Sequence, residues 1–238
     1  MTRTALIDAD IVAYRVAAKA EYEGDDEQDA VDRTINMVRQ WTQGAQADSI
    51  ICCLSPTMSF RHGLWVHYKA HRKDKPRPTW LESCRKAIRD TFPVAPHHET
   101  LEADDVIGIL MTNGRVPNPV CVTIDKDLKQ VPGEHWDPIK EVAATVSDEQ
   151  AEETFLYQWV SGDSSDGYPG IPKFGPVKAQ PLVEADDPHK AIIDKYIERG
   201  LTYDYALTMA RLAKIITAPL WDAKHHEVIL WTPQNMYP

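Results

Sequence analysis

Acidic residues gather in four short groups along this 238-residue sequence. Asp163 and Asp166 are three residues apart, so a single turn points both carboxylates in the same direction. Clustered carboxylates hold hard divalent cations, and oxygen-only ligands favour Mg²⁺ or Mn²⁺ over zinc. The acids of the four groups are therefore candidate metal ligands and catalytic residues: Asp8, Glu102, Asp104, Asp105, Asp125, Asp127, Asp163 and Asp166.

A glycine-proline turn, Gly170-Ile-Pro-Lys-Phe-Gly175, directly follows the last acidic group. Such a turn exposes backbone N–H groups at the start of the next helix, which is a favourable place for a phosphate. A metal site beside a phosphate-binding turn indicates phosphodiester chemistry. Two cations would then clamp the attacking and leaving oxygens, with water as the nucleophile. The alternative is an ordinary surface turn.

Short apolar runs precede the acids and predict the elements that position them. Residues 4–7, 49–54 and 120–124 are typical of buried parallel strands. Helices are predicted to about Glu21, over 27–43, 79–92 and 203–216, from Leu101 to Met111, and after the capping box at 147–150, and residues 228–231 form either a last strand or an extended packing segment. The first strand ends at Asp8 and the third at Asp125, while Glu102 opens a helix. Ligands of open α/β sheets bind outside the carboxyl ends of the strands. The sequence therefore predicts an α/β fold with the acids at one edge of a mostly parallel sheet.

The region 59–75 is the only strongly basic stretch, and aromatic residues are interleaved in it. It predicts a nucleic-acid contact, with a solvated charge run as the alternative. The formal net charge of −10 comes largely from the acidic groups, so it argues against broad coating of DNA rather than against DNA binding.

Other features point to a cytoplasmic location. The first apolar run is too short for a signal peptide or a membrane span. The cysteines show no metal-ligand spacing, which fits a reducing cytosol.

The pairs His97-His98 and His225-His226 are interpreted as ordinary histidines rather than metal ligands, because adjacent histidines point apart.

Five motifs in a fixed order carry a resemblance to the 5′-nucleases: flap endonucleases, the 5′→3′ exonuclease domain of bacterial DNA polymerase I, and stand-alone phage exonucleases. The likeness is strongest to phage exonucleases of the T7 type. The motifs are Ile7-Asp-Ala-Asp10, Tyr68-Lys-Ala-His-Arg72, Leu101-Glu-Ala-Asp-Asp105, Asp125-Lys-Asp127, and Gly162-Asp-Ser-Ser-Asp166 with the turn 170–175.

The resemblance implies a PIN-like α/β core over residues 1–160, with a short helical arch or gateway at 59–92. Residues 161–238 would form a helix–three-turn–helix DNA-binding element and a C-terminal helical region, packed with the core as one nuclease unit. The implied activity is Mg²⁺-dependent 5′→3′ exonuclease or flap endonuclease cleavage of duplex DNA with a 5′ end or 5′ flap. An RNA–DNA hybrid is the alternative substrate.

The resemblance further implies two or more Mg²⁺ ions, with Mn²⁺ as a substitute, and a potassium ion at the helix–three-turn–helix. It implies a phage-encoded monomer in the host cytoplasm that works beside replication proteins.

Carried over residue by residue, the resemblance places Asp8, Glu102, Asp104 and Asp105 around the first metal and the other four acids nearer the second. Lys69 and Arg72 match catalytic cations, and Tyr14 matches an aromatic residue that stacks on a base, which suits sequence-independent binding. The expected nucleic-acid contacts are Tyr14, Arg61, Tyr68, Lys69, Arg72, Lys86, Gly170, Ile171, Lys173, Gly175 and Lys178.

Two departures from the family pattern stand out. The family usually has another Asp after the second strand, but residues 53–58 contain no acid, so either Ser55 binds the metal through water or the first metal site is weaker. The gateway is also short, and its catalytic cation is unassigned among Arg85, Lys86 and Arg89.

Two other functions fit part of the sequence. Asp8-Ala-Asp10-Ile-Val12 and Gly162-Asp-Ser-Ser-Asp166 are similar to the nucleophile and metal motifs of haloacid-dehalogenase-type phosphatases. The missing acid would also suit a non-catalytic, structure-specific DNA-binding protein.

Overall fold

A five-stranded sheet forms the centre of the computed structural model, which describes residues 2–72, 74–96 and 98–234 and all their side chains except that of Pro176. Its strands are β1 (Thr4–Asp8), β2 (Ser49–Cys53), β3 (Pro119–Val122), β4 (Gly133–Asp137) and β5 (Val142–Val146). Their order across the sheet is β2-β1-β3-β4-β5. The first four are parallel, and only β5 pairs antiparallel.

Helices surround the sheet. The first half of the chain contains α1 (Ala9–Glu23), α2 (Glu27–Gly44), the short α3 (Phe60–Leu64), α4 (Leu81–Thr91) and α5 (Ala103–Thr112). The second half contains α6 (Asp148–Ser161), α7 (Pro176–Val183), α8 (Pro188–Glu198) and α9 (Tyr203–Ala213). A two-stranded ribbon, β6 (Trp221–Asp222) with β7 (Glu227–Val228), follows near the end.

Two hydrophobic clusters lie on opposite faces of the sheet. Alternate residues of a strand point to opposite faces, so Leu6 packs in one cluster while Ala5 and Ile7 pack in the other. One cluster contains residues of α1, α2 and α4, and the other contains residues of α5 to α9. The predicted α/β fold with a mostly parallel sheet is therefore confirmed.

The structure differs from the sequence-based expectations in three places. Strands β4 and β5 were not predicted, because β4 is polar and β5 is mostly exposed. The helix expected to reach Ile216 ends at Ala213. Its last residues instead run past α5, where the backbone N–H of Ile216 donates to Asp105 at 3.0 Å. The last predicted strand, 228–231, is reduced to the two residues of β7. No helix among the described residues is long and apolar enough to cross a membrane.

Candidate active site

The carboxyl ends of three neighbouring strands bring the first acids together. Asp8, the last residue of β1, is in register with Cys53, and Ile7 is in register with Val122 of β3. Helix α5 starts at the same edge, because its first N–H, that of Ala103, donates to Ser55 Oγ at 2.9 Å. The sheet edge therefore positions acids from β1, α5 and the segment after β3.

Asp8 has a strongly perturbed carboxyl group at this edge. Burial, followed by the charges of Asp10 and Asp125, raises its pKa to about 7. Thr123 Oγ1 donates to the Asp8 carboxylate at 3.0 Å, which partly offsets the shift. Burial and the charges of Asp8 and Asp125 also raise the pKa of Asp104 well above its usual range. These three carboxylates are thus close enough to oppose one another's ionisation.

A second set of acids lies beside the first. Burial, then the charges of Asp125 and Asp163, raises the pKa of Asp127 to about 7. Asp163 is held in a tight turn, in which its Oδ1 accepts hydrogen bonds from the backbone N–H groups of Ser165 at 2.6 Å and Asp166 at 3.2 Å. Burial raises the pKa of Asp166, although Lys69 opposes the shift.

The turn that carries these acids is closed by a backbone approach that only glycine allows. Gly162 has a φ of 67°, and a Cβ built there would lie 2.4 Å from Gly170 N. Trp65 Nε1 donates to Gly167 O at 3.1 Å and so fixes the turn against the basic segment. The conformation of the turn that carries Asp163 and Asp166 therefore depends on Gly162 and Gly170.

Tyr68, Lys69 and Arg72 of the basic segment contact the acids directly. Tyr68 Oη lies 2.8 Å from Glu102 Oε2 and 3.1 Å from Asp166 Oδ2. Lys69 Nζ donates to Glu102 at 2.9 Å, and Arg72 donates to Asp166 at 2.8 Å. Burial opposes ionisation of Glu102, but Arg61 and Lys69 more than offset it and lower its pKa to about 2. The predicted catalytic cations therefore lie against the acids, Lys69 beside Glu102 and Arg72 beside Asp166.

The donor chemistry fits a divalent cation. The acids present oxygen ligands only, and their mutual repulsion is what a bound cation would offset. Within ranges 2–72, 74–96 and 98–234, no three His, Cys, Asp or Glu side chains already form a group that could hold a metal ion. The acid side chains would therefore have to rearrange around a bound cation to complete its coordination sphere.

Asp105 is not placed as a metal ligand, which corrects one prediction. It is fully buried, and its two oxygens accept hydrogen bonds from Arg61 at 2.7 and 2.8 Å. It also accepts from the backbone N–H groups of Glu102 and Ile216. Its carboxylate is therefore saturated by the protein and supports the start of α5.

Arg61 is also misassigned by the sequence as a nucleic-acid contact. Its side chain is buried, with Nε donating to Leu212 O at 3.0 Å and Nη2 donating to Lys214 O at 2.7 Å. With Asp105 occupying its remaining donors, it has no group left for DNA. The guanidinium instead joins α5 to the end of α9.

The turn after the last acids is only partly exposed. The Ile171 side chain is buried and its N–H donates to Val160 O at 2.8 Å, so the predicted DNA contact at Ile171 is wrong. Lys173, Gly175 and Lys178 are exposed, and Lys173 has a left-handed φ of 63°. Gly170 also has a positive φ, 60°, at the start of the turn.

Other predicted contacts lie on exposed helix faces. Tyr14 on α1 is 55 % exposed. Lys86 and Arg89 are exposed on α4, where Lys86 pairs with Asp90. His98 and His226 lie in an aromatic group with Trp221, whereas His97 is outside the described residues.

Sequence reasoning missed the hydrogen-bond partners of the acids. Thr123 orients Asp8, and the N–H of Asp125 donates to the same hydroxyl at 2.9 Å. Ser55 Oγ supports α5 instead of facing a metal, and the Ser55 N–H donates to Asp10 at 2.7 Å. Arg85 pairs with Asp10. The Asp8-Ala-Asp10 spacing was the available signal, because it places a second acid two residues beyond the strand end.

Comparison with known proteins agrees with this geometry. The sequence profile of the family described as 5′-3′ exonuclease, N-terminal resolvase-like domain, matches residues 3–158. An exodeoxyribonuclease of Enterobacteria phage T3 is 24% identical over 207 residues, covering 71% of this chain and 68% of the relative. The flap endonuclease Xni of Shewanella amazonensis is 29% identical over 201 residues, covering 77% of each chain.

A solved structure shares the fold. The bacteriophage T5 D15 flap endonuclease, in a pseudo-enzyme-product complex with DNA and metal ions, superposes with a TM-score of 0.71 at 14% identity. The superposition covers 90% of this chain and 89% of that chain. The family profile spans well over half of the sequence, and the acids, strands and basic segment described above lie mostly within it. The chain therefore belongs to the 5′-3′ exonuclease family with an N-terminal resolvase-like domain.

Proposed function

We propose that this protein is a Mg²⁺-dependent nuclease that hydrolyses DNA phosphodiesters as a 5′→3′ exonuclease or a flap endonuclease. One observation carries the proposal: carboxylates from β1, α5, the segment after β3 and the turn after α6 influence one another's ionisation at a single sheet edge. Family membership supports the same reaction. It favours the nuclease over the phosphatase, which leaves Glu102 and the basic segment without a role.

The proposed metal ligands fall into two sets. Asp8, Glu102 and Asp104 would hold the first divalent cation, while Asp125, Asp127, Asp163 and Asp166 lie nearer the second. Two such ions, when bound, activate a water and stabilise the attacking and leaving oxygens of the displacement. Mn²⁺ would substitute, because the ligands are all oxygens.

The chain's own cations complete the site. Lys69 and Arg72 lie beside Glu102 and Asp166, where they would contact the phosphate being cleaved. Tyr68 is buried behind them and orients the carboxylates of both sets. Lys69 and Arg72 would bind and orient the phosphate, and their positive charges would offset its repulsion from the acids.

The DNA-binding surface is proposed from exposure and charge. Lys173, Lys178 and the backbone of Gly170 and Gly175 would hold the duplex, with a potassium ion on nearby carbonyl groups, and Tyr14 would stack on a base. The T5 structure contains DNA and metal ions, which supports this choice of ligand. The division at residue 160, between a catalytic core and a helix–three-turn–helix unit, belongs to the same proposal.

The biological setting is proposed on the same basis. The proposed enzyme is a phage-encoded monomer that acts in the host cytoplasm beside replication proteins, and the exonucleases of phages T3 and T7 among the relatives support the phage origin. The proposed substrate is duplex DNA with a 5′ end or a 5′ flap, and an RNA–DNA hybrid is the alternative.

The test uses a 5′-labelled duplex, a matched duplex with a single-stranded 5′ flap, and an RNA–DNA hybrid. Each is incubated with Mg²⁺, Mn²⁺ or EDTA, with and without K⁺. Short labelled products from the plain duplex, lost in EDTA, are expected of an exonuclease. Cleavage of the flapped form alone would identify an endonuclease.

One structural fact favours a second candidate. The segment 53–58, where the resemblance implies an acid, contains none, and the N–H, carbonyl and hydroxyl of Ser55 in it are all hydrogen-bonded to the protein. If no substrate is cleaved in Mg²⁺ or Mn²⁺ but the flapped DNA is bound, the protein is a structure-specific DNA-binding protein instead.

A further inference from the structure

Asp10 connects three elements at the edge of the cleft. Its Oδ2 accepts a hydrogen bond from the N–H of Ser55 at 2.7 Å, and its Oδ1 accepts one from Arg85 Nη1. Arg85 Nη2 donates to Ser55 O at 2.6 Å. The three residues close a ring of hydrogen bonds that joins the first turn of α1, the segment after β2, and α4.

This ring lies next to the proposed metal ligands and is open to solvent. The Arg85 and Asp10 side chains are 15% and 26% exposed. Asp8 is the N-cap of α1 and Asp10 lies in the first turn of the same helix. Ser55, which donates to Asp10, also accepts a hydrogen bond from the N–H of Ala103, the residue before Asp104. Asp10 therefore lies beside the proposed ligands of the first cation.

Two ligands of opposite charge would compete with the ion pair between Asp10 and Arg85, a cation for Asp10 and a phosphate for Arg85. A divalent cation near Asp8 would also attract the Asp10 carboxylate and weaken its hold on Arg85. A DNA phosphate would attract Arg85 and weaken its hold on Asp10. Each ligand therefore weakens the Asp10–Arg85 ion pair, which competes with the other ligand. Binding of the cation thus favours binding of DNA, and the reverse.

We propose that Asp10 is a positioning residue that makes Arg85 available to a DNA phosphate in response to a divalent cation near Asp8. The inference rests on the proposed function, since it requires both ligands. The other exposed cation of α4 with a carboxylate partner, Lys86, pairs with Asp90 on its own helix. Arg85, by contrast, pairs with Asp10, so the coupling is assigned to Arg85.

The experiment measures binding of a fluorescent 5′-flap duplex by anisotropy, in EDTA and in Ca²⁺. Ca²⁺ replaces Mg²⁺ because its longer, more flexible coordination is less suited to phosphoryl transfer. A denaturing gel verifies that the DNA stays intact. The coupling is the ratio of Kd in EDTA to Kd in Ca²⁺, compared for wild type, Asp10→Asn, Arg85→Gln and the double variant.

Asp10→Asn should tighten binding in EDTA, because Arg85 is no longer held by the charge of Asp10, and should lower the coupling ratio by about fivefold or more. Arg85→Gln should lower the ratio similarly, and the double variant should lower it no further than either single change. Glu82→Gln is the matched control: it removes an exposed carboxylate 4.0 Å from Arg85 Nε and should leave the ratio unchanged.

Weaker DNA binding by Asp10→Asn in EDTA, or a ratio within twofold of wild type, would overturn the inference. Thermal unfolding of each variant guards against misfolding, and Arg85→Gln carries the test alone if Asp10→Asn does not fold. If the wild type cleaves DNA but the variants keep its coupling ratio, only the coupling is refuted. If the wild type neither cleaves DNA nor binds Ca²⁺, the proposed function itself is refuted.

Discussion

Tyr68 donates its phenolic hydrogen to Glu102 across 2.8 Å, from a position that is only 2% exposed. Tyr68→Phe keeps the ring but removes the donor from a buried carboxylate. We expect a loss of about 1–2 kcal/mol in the free energy of unfolding, measured by urea denaturation. Tyr22→Phe is the control, because Tyr22 is 91% exposed. Equal effects of the two variants would contradict the role given to this hydrogen bond.

Asp104→Asn and Asp163→Asn each remove one charge from a proposed metal site. Cleavage should fall by at least about 100-fold, while binding of a flapped duplex in EDTA should change little. Gel assays of initial rates and anisotropy measure the two quantities. Asp90→Asn, an exposed change on α4, serves as the control. Activity within tenfold of wild type would count against the assignment.

The pKa of Asp8 predicts a pH-dependent stability. Its usual value of 3.8 is raised to about 7 in the fold, first by burial. The folded state binds this proton more tightly than the unfolded state. The contribution of Asp8 protonation to the free energy of unfolding is therefore fully present below pH 3.8 and is lost as the pH rises through 7. In EDTA, the wild type should lose about 1 kcal/mol more than Asp8→Asn between pH 6 and 8.

Mg²⁺ should reverse that trend. Since a cation binds ionised carboxylates, adding Mg²⁺ should raise the Tm of the wild type more at pH 8 than at pH 6. Differential scanning calorimetry of wild type and Asp104→Asn compares the two shifts. An equal rise for both proteins would indicate that the cation acts elsewhere.

Arg61 is predicted to support the fold rather than the DNA. Arg61→Met leaves the buried carboxylate of Asp105 without its bidentate partner, so a loss of about 3–5 kcal/mol is expected in chemical denaturation. Arg61→Lys keeps a charge and should recover part of the loss. Full stability in Arg61→Met would refute the structural role.

Lys173 and Lys178 should behave in the opposite way. Both are exposed, so Lys173→Gln and Lys178→Gln should leave the Tm unchanged. Each should weaken duplex binding and reduce the slope of log Kd against log salt concentration by about 1. An unchanged slope for both variants would remove the turn 170–175 from the proposed DNA surface.

The strands that carry the site were predictable because they are short, continuous apolar runs. Strands β1, β2 and β3 and helices α1, α2, α5 and α6 lie close to their predicted positions. Strand β4 was missed, because its sequence lacks an apolar alternation and depends on pairing with β3 and β5. Tertiary pairing thus supplied what the local pattern did not.

The same distinction applies to individual site residues. The acids could be found from the sequence because they cluster. Which of them support the fold and which face the proposed metal site could not be predicted. Asp104 and Asp105 are adjacent and chemically identical, yet Asp105 is fully buried against Arg61 while Asp104 remains partly exposed among the acids. Helical geometry turns neighbouring residues about 100° apart, so only the packing of α5 decides which one faces the cleft.

The ties between Arg61, Asp105 and the segment after α9 have a consequence for synthesis on the ribosome. The carbonyls of Leu212 and Lys214 and the N–H of Ile216 complete the support of a helix that begins more than a hundred residues earlier. A nascent chain that has reached only residue 158 still lacks all three partners. The start of α5 can therefore be held in this way only after residue 216 has been synthesised, so the final structure of this helix end depends on a much later part of the chain.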